Sequence, residues 1–109
     1  MTKPSFAKQR EELLARYIES FPFKINKLTA ELDKFDNVTE ETSIYDFTDL
    51  RLIVHKLAGS AGSYGFSDIG GLASDLERRL KTDKNNIMAM NVIKTMTMEL
   101  VHEIRKHIV

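Results

Sequence analysis

The stretch DFTDLRLIVHKLAGSAGSYG, residues 46–65, decides how the rest of the chain reads. Phe47, Leu50, Val54, Leu57, Ala61 and Tyr64 recur by three and four, the spacing that lines apolar side chains along one face of an α-helix. Gly65 is well placed to end that helix in a left-handed conformation. Gly59 and Gly62 break the local rule. An interior glycine costs a helix about 1 kcal/mol relative to alanine, so the two together weaken it by roughly 2 kcal/mol. A turn of about 100° per residue puts His55 on the flank of the apolar stripe, about 100° from Val54. Thr48, Arg51, Gly59 and Gly62 fall within about 40° of His55, and Leu52 lies just beyond as an exposed apolar neighbour. A rule broken beside a titratable side chain implies that something must approach that side chain closely.

The same periodicity runs outward in both directions. A first helix is expected over about 5–20, with Ser5 as its cap. A second, over 22–36, opens near Pro22, a residue tolerated at a helix start. Its face is Phe21, Ile25, Leu28, Leu32 and Phe35. Asn37 to Tyr45 has no stripe and reads as a connection. The third helix covers about 46–64. The fourth, over 67–82, is capped by Ser67 and buries Ile69, Leu72, Leu76 and Leu80 with Ala73 alongside. After a turn at Thr82–Asn86, the last helix covers about 86–107, with Ala89, Ile93, Met96, Leu100 and Ile104 on one face. Amphipathic helices with short loops pack best as an antiparallel bundle. The expected fold is all-α: an up-and-down four-helix bundle in one domain, residues 1–109, with an additional N-terminal helix packed at one end as a lid.

Composition removes several classes of function. The 109 residues carry 16 basic and 16 acidic side chains and no net charge. Binding to nucleic acid usually needs a basic surplus, so it is not expected. There is no cysteine, which leaves no disulfide framework and no thiolate zinc site. No run approaches the ~20 apolar residues of a membrane span, and Met1-Thr2-Lys3-Pro4 lacks the apolar core of a secretion signal. A cytoplasmic location and no membrane partner are therefore expected. Asn37-Val38-Thr39 matches a glycosylation acceptor, which has no meaning without secretion.

The chemistry concentrates at His55. An exposed neutral imidazole is a nucleophile and forms covalent intermediates. Glycines on its strip let a bulky surface reach the ring. Arg51 and Lys56 are the cations near enough to hold the oxygens of a dianionic group; Arg78 or Arg79 of the fourth helix are further candidates. The Gly-Ser-Ala-Gly-Ser-Tyr-Gly run lacks the Lys-Ser/Thr ending of a P-loop, so the donor and acceptor of a phosphoryl group on this imidazole must be other proteins. Ser60 points away from His55 and is expected to bond backbone or pack between helices. His102 and His107 are expected to be solvated near the last helix's C-terminus, and no metal site is expected. The methionines Met88, Met90, Met96 and Met98 read as gap-fillers.

His55-x-Leu57-x-Gly59-Ser60-Ala61-Gly62-x-x-Gly65 resembles the signature of histidine-containing phosphotransfer (HPt) domains, and Leu72-Ala73-x-x-Leu76-Glu77 is similar to the segment that follows it in that family. The resemblance is close over about residues 46–80 and extends to the rest in helix pattern only. It implies a four-helix bundle and a phosphocarrier, not an enzyme, that moves a phosphoryl group in a two-component phosphorelay. It makes His55 the phosphoacceptor. Gly59 and Gly62 become the small residues of a receiver-docking surface that also includes Leu52 and Ala58. Response regulator receiver domains and a hybrid sensor histidine kinase are the implied partners. No cofactor is expected on the domain itself; Mg²⁺ comes with the receiver. A monomer is the default. Many family members carry lysine three residues after the histidine, where this chain has Ala58, so the phosphoryl-stabilising cation is left to Arg51, Lys56 or helix four. The alternative is an adaptor or inhibitor that docks a receiver or kinase without phosphotransfer.

Overall fold

The computed structural model describes residues 6–36, 47–82 and 87–108, all helix and turn among those residues. Five α-helices appear: α1 Phe6–Glu19, α2 Phe21–Asp36, α3 Thr48–Ser60, α4 Ser67–Thr82 and α5 Ile87–Arg105. A 3₁₀ turn, Gly62–Tyr64, links α3 to α4. Ser5, Asp46, the 37–45 connection, most of the 82–86 turn, and the side chains of Met88 and Ala89 lie outside the described residues. No described helix is long and apolar enough to cross a membrane.

Helices α2 to α5 bury one stripe each into a common core. Phe21, Ile25, Leu28 and Phe35 come from α2; Leu50, Val54 and Leu57 from α3; Ile69, Ala73, Leu76 and Leu80 from α4; Ile93, Leu100, Val101 and Ile104 from α5. Each fully buried leucine removes apolar surface from water worth about 1.5–3 kcal/mol. Leu32, Leu72 and Met96 are only half-buried. On α5 the core position expected for Met96 belongs instead to Thr97, which is fully buried. Its hydroxyl donates to the Ile93 carbonyl at 2.7 Å. With its one polar group satisfied inside its own helix, Thr97 can fill the core at little desolvation cost.

The third helix is shorter than its periodicity suggests. Its last α-type bond is Ala61 N–H to Leu57 C=O, 3.0 Å. The chain then tightens: Tyr64 N–H bonds Ala61 C=O at 3.2 Å, Gly65 N–H bonds Gly62 C=O at 3.1 Å, and Phe66 N–H returns to Ala61 C=O at 2.9 Å. This pattern, with Gly65 at φ 89°, is a Schellman C-cap. Gly62 therefore opens the turn and only Gly59 sits inside the helix, so the helix penalty falls to about 1 kcal/mol. Ser67 is the first residue of α4, not a cap before it; Gly70 N–H bonds Phe66 C=O at 2.9 Å. The tight turn makes α3 and α4 an antiparallel hairpin. Gly70 is its close-contact point: a Cβ there would sit 3.4 Å from Gly62 N and 3.8 Å from the Ala61 Cβ.

Only Ser20 separates α1 from α2. Pro22 has no N–H to continue the ladder and its ring crowds the preceding turn, so the helix breaks there. Helix α1 buries none of its residues. Tyr17 and Ile18 pack partly against the core. Ahead of them a groove of about 410 Å³ runs between Ala7, Arg10 and Leu14 of α1 and Ser63 and Tyr64 of the turn. Phe6 is 84% exposed, so α1 leans on the turn without closing the end of the bundle.

Candidate functional site

Because Val54 and Leu57 anchor α3 inward, His55 is forced outward, and its side chain is 72% exposed. The α3–α4 hairpin brings Glu77 across to meet it. His55 Nδ1 and Glu77 Oε2 are 2.5 Å apart, and the Glu77 side chain is only 18% exposed. In the neutral ring, Nδ1–H donates to the carboxylate, which fixes the tautomer and leaves the lone pair on Nε2. Among the described residues no hydrogen bond reaches Nε2. The arrangement is that of an oriented nucleophile: one nitrogen held, the other presented.

A hollow of about 380 Å³ surrounds the ring, lined by Thr48, Arg51, Leu52, His55, Glu77 and Lys81. Arg51 and Leu52 thus share the hollow with His55. Lys56 lies on a different wall: it lines a second groove, between α2 and α3, that also includes Leu52. Lys81, one helical turn beyond Glu77, joins the hollow although the sequence reading passed over it. Arg78 pairs with Asp75 at 3.0 Å and is not part of it. Gly59 and Gly62 are both exposed, and a Cβ on either would meet nothing within 4 Å. Helix packing does not require glycine at these two positions, whereas a Cβ at Gly70 would come into contact with the turn. Ala58 is half-buried. Ser60 donates to the Lys56 carbonyl at 2.7 Å and accepts from the Tyr17 hydroxyl at 2.7 Å, so it ties α1 to α3 on the side away from His55.

The other end of the bundle holds a second histidine in different surroundings. Tyr17 stacks on Tyr64 with centroids 4.2 Å apart, and Phe66 meets Phe21 edge-on at 5.2 Å. His107 packs edge-on to Phe66 at 4.8 Å. Its Nε2 lies 2.9 Å from Asp68 Oδ2. This corrects the expectation of a solvated His107: the ring closes an aromatic cluster and is 30% exposed. His102 is exposed. Hydrogen bonding with His107, and then with Glu103, holds the Asp68 carboxyl at about 2, below its ordinary 3.8. Asp68, Glu103 and His107 also place three metal-ligating atoms within 4.8 Å of one another. That trio sits at the aromatic end, and none of its members lines the His55 hollow.

The described helices form a bundle with one exposed imidazole, His55, oriented by a carboxylate on an open face. A family model described as Hpt domain matches residues 12–106. The chain belongs to the Hpt domain family. Hpt domains are phosphocarriers, not enzymes; they serve histidine phosphotransfer in two-component systems and interact with receiver domains and kinases. No curated protein and no solved structure matches the chain.

Proposed function

We propose that the chain carries a phosphoryl group on His55 between receiver-domain aspartates, or from a hybrid sensor kinase to a response regulator. The observation that carries this reading is an imidazole 72% exposed with Nδ1 held by Glu77. The step balances simply. The Nε2 lone pair forms an N–P bond as the acyl phosphate's O–P bond breaks, and the receiver's aspartate leaves as a carboxylate. The Nδ1 proton stays on the ring. The resulting phosphoimidazolium is positively charged, and the Glu77 carboxylate opposite it favours that charge. The receiver brings Mg²⁺, which neutralises the phosphoryl oxygens in flight.

Arg51 and Lys81 flank the hollow and take the role of the lysine absent at Ala58; Lys56 is the more distant choice. Docking uses Leu52, Ala58, Gly59 and Gly62, where bare backbone lets the receiver's rim come close. Helix α1 is an addition to the four-helix bundle, anchored through Tyr17 beyond this face. The chain acts as a monomer. The test is label from a ³²P-charged receiver: wild type takes it up, and His55→Gln loses it by more than 100-fold. Equal labelling of the two overturns the proposal. Receiver binding that survives His55→Ala without any phosphohistidine on wild type would mark an adaptor instead.

A further inference from the structure

The groove between α2 and α3 lies beside the His55 hollow, and Leu52 belongs to both. It encloses about 540 Å³. Two large apolar side chains stand open on it, Phe23 at 62% exposed and Leu52 at 56%. Its charge is one-sided. Lys24, Lys27, Lys34 and Lys56 line it against Glu31 and Asp49. Both acids are engaged by Lys34, at 2.8 Å and 3.4 Å. Among the described residues no carboxylate pairs with Lys24, Lys27 or Lys56. Instead the Lys27 ammonium lies 4.6 Å from the centroid of Phe23, and that of Lys24 lies 4.4 Å from the centroid of Tyr17. Burial, then the neighbouring Lys27, holds the Lys24 amine below its usual range. In a chain with no net charge, this is a local positive rim around an apolar patch.

Such a surface discriminates. An uncharged apolar partner gains contact with Phe23 and Leu52 but leaves the lysines crowded. A basic one is repelled outright. A partner whose apolar side chain is flanked by carboxylates gains both terms and is steered in from a distance. We propose that this groove selects among receivers, taking an apolar side chain ringed by carboxylates and seating it beside Leu52 so that the receiver's phospho-aspartate meets His55. The inference rests on the phosphotransfer reading and names the partner chemistry that reading leaves open.

The probe is a helix-forming 18-residue peptide with a leucine stripe flanked by glutamates, titrated into the ¹⁵N-labelled full chain. The same peptide with lysines in place of glutamates is the control. The acidic peptide is expected to shift the amides of Phe23, Lys27 and Leu52, and to bind at least tenfold more tightly than the basic one. Lys27→Glu should weaken it at least tenfold and Lys27→Ala by less, with circular dichroism confirming that both variants remain helical. Equal binding of the two peptides, no binding of the acidic one, or shifts centred away from the groove would overturn the inference. Labelling wild type with phosphoramidate, a small phosphoryl donor that needs no docking, tests the carrier reading separately. Failure to label His55 would sink that reading and leave the groove result standing.

Discussion

Two histidines in this molecule are bonded to carboxylates, and on the proposed reading only one of them reacts. His55 meets Glu77 on an open helix face; His107 meets Asp68 against Phe21 and Phe66. The bond to a carboxylate is common to both, so on the proposed reading it is the placement of the ring that makes a phosphoacceptor. His55 is held through Nδ1 with its side chain largely exposed, beside glycines that clear an approach. His107 is held through Nε2 and packed edge-on into aromatic rings, where it pins the end of α5 to the start of α4. On the proposed reading one pair orients a nucleophile and the other staples a fold.

Exchanging the damage between the two pairs tests that division. Glu77→Ala should slow phosphotransfer to His55 by roughly 10- to 100-fold, by analogy with the loss when the hydrogen-bond partner of a metal-ligating imidazole is removed. Asp68→Ala should leave the transfer rate within twofold. Stopped transfer in the Asp68 variant, or full rates without Glu77, would erase the distinction. A smaller effect is expected at the cleared approach. Gly59→Gln should cut the transfer rate several-fold while raising the unfolding free energy by ~0.5–1 kcal/mol, since a helix former replaces glycine where a Cβ meets nothing. Urea titration and transfer kinetics on one preparation read both.

The smallest effect concerns acid. Asp68 titrates at about 2 in the folded chain against an ordinary 3.8. Its ionised form is therefore favoured by folding, and the stability it adds is present above pH ~4 and lost as pH falls toward 2. Asp68→Asn should flatten that part of the curve of Tm against pH. The change is modest because the side chain is 42% exposed and solvent screens it. A curve unaltered by the substitution would show that the staple carries no charge-dependent stability.

Much of this was legible in the chain. The apolar stripes of α2, α3 and α4 gave the core, Gly65 gave the left-handed cap though not the true end of α3, and the helical wheel put His55 on the surface. What was missed depends on contacts between helices. Glu77 stood in the segment already noted for its resemblance, but its role appears only once α3 and α4 are paired. A signal was available: His55 and Glu77 stand equally far on either side of Phe66, as do Gly62 and Gly70. Folding the chain back at Gly65–Phe66 brings both pairs together, and Lys81 follows one turn after Glu77. Thr97 escaped because its hydroxyl is satisfied by its own helix, which no hydropathy pattern records. The end of α3 escaped because apolar spacing at Ala61 and Tyr64 continues through a 3₁₀ turn that still faces the core. His107 escaped because a histidine at a helix end reads as solvated until aromatic rings from α2 and the turn surround it.

The central claim is that phosphate resides on Nε2 of His55 while Glu77 holds Nδ1. Long-range ¹H–¹⁵N correlation of the histidine rings, recorded on the phosphorylated full chain, tests it most directly. A phosphorylated Nε2 on His55, a protonated Nδ1 on the same ring, and unchanged rings at His102 and His107 are the expected result. Phosphate on Nδ1 of His55, or on either of the other histidines, would contradict it.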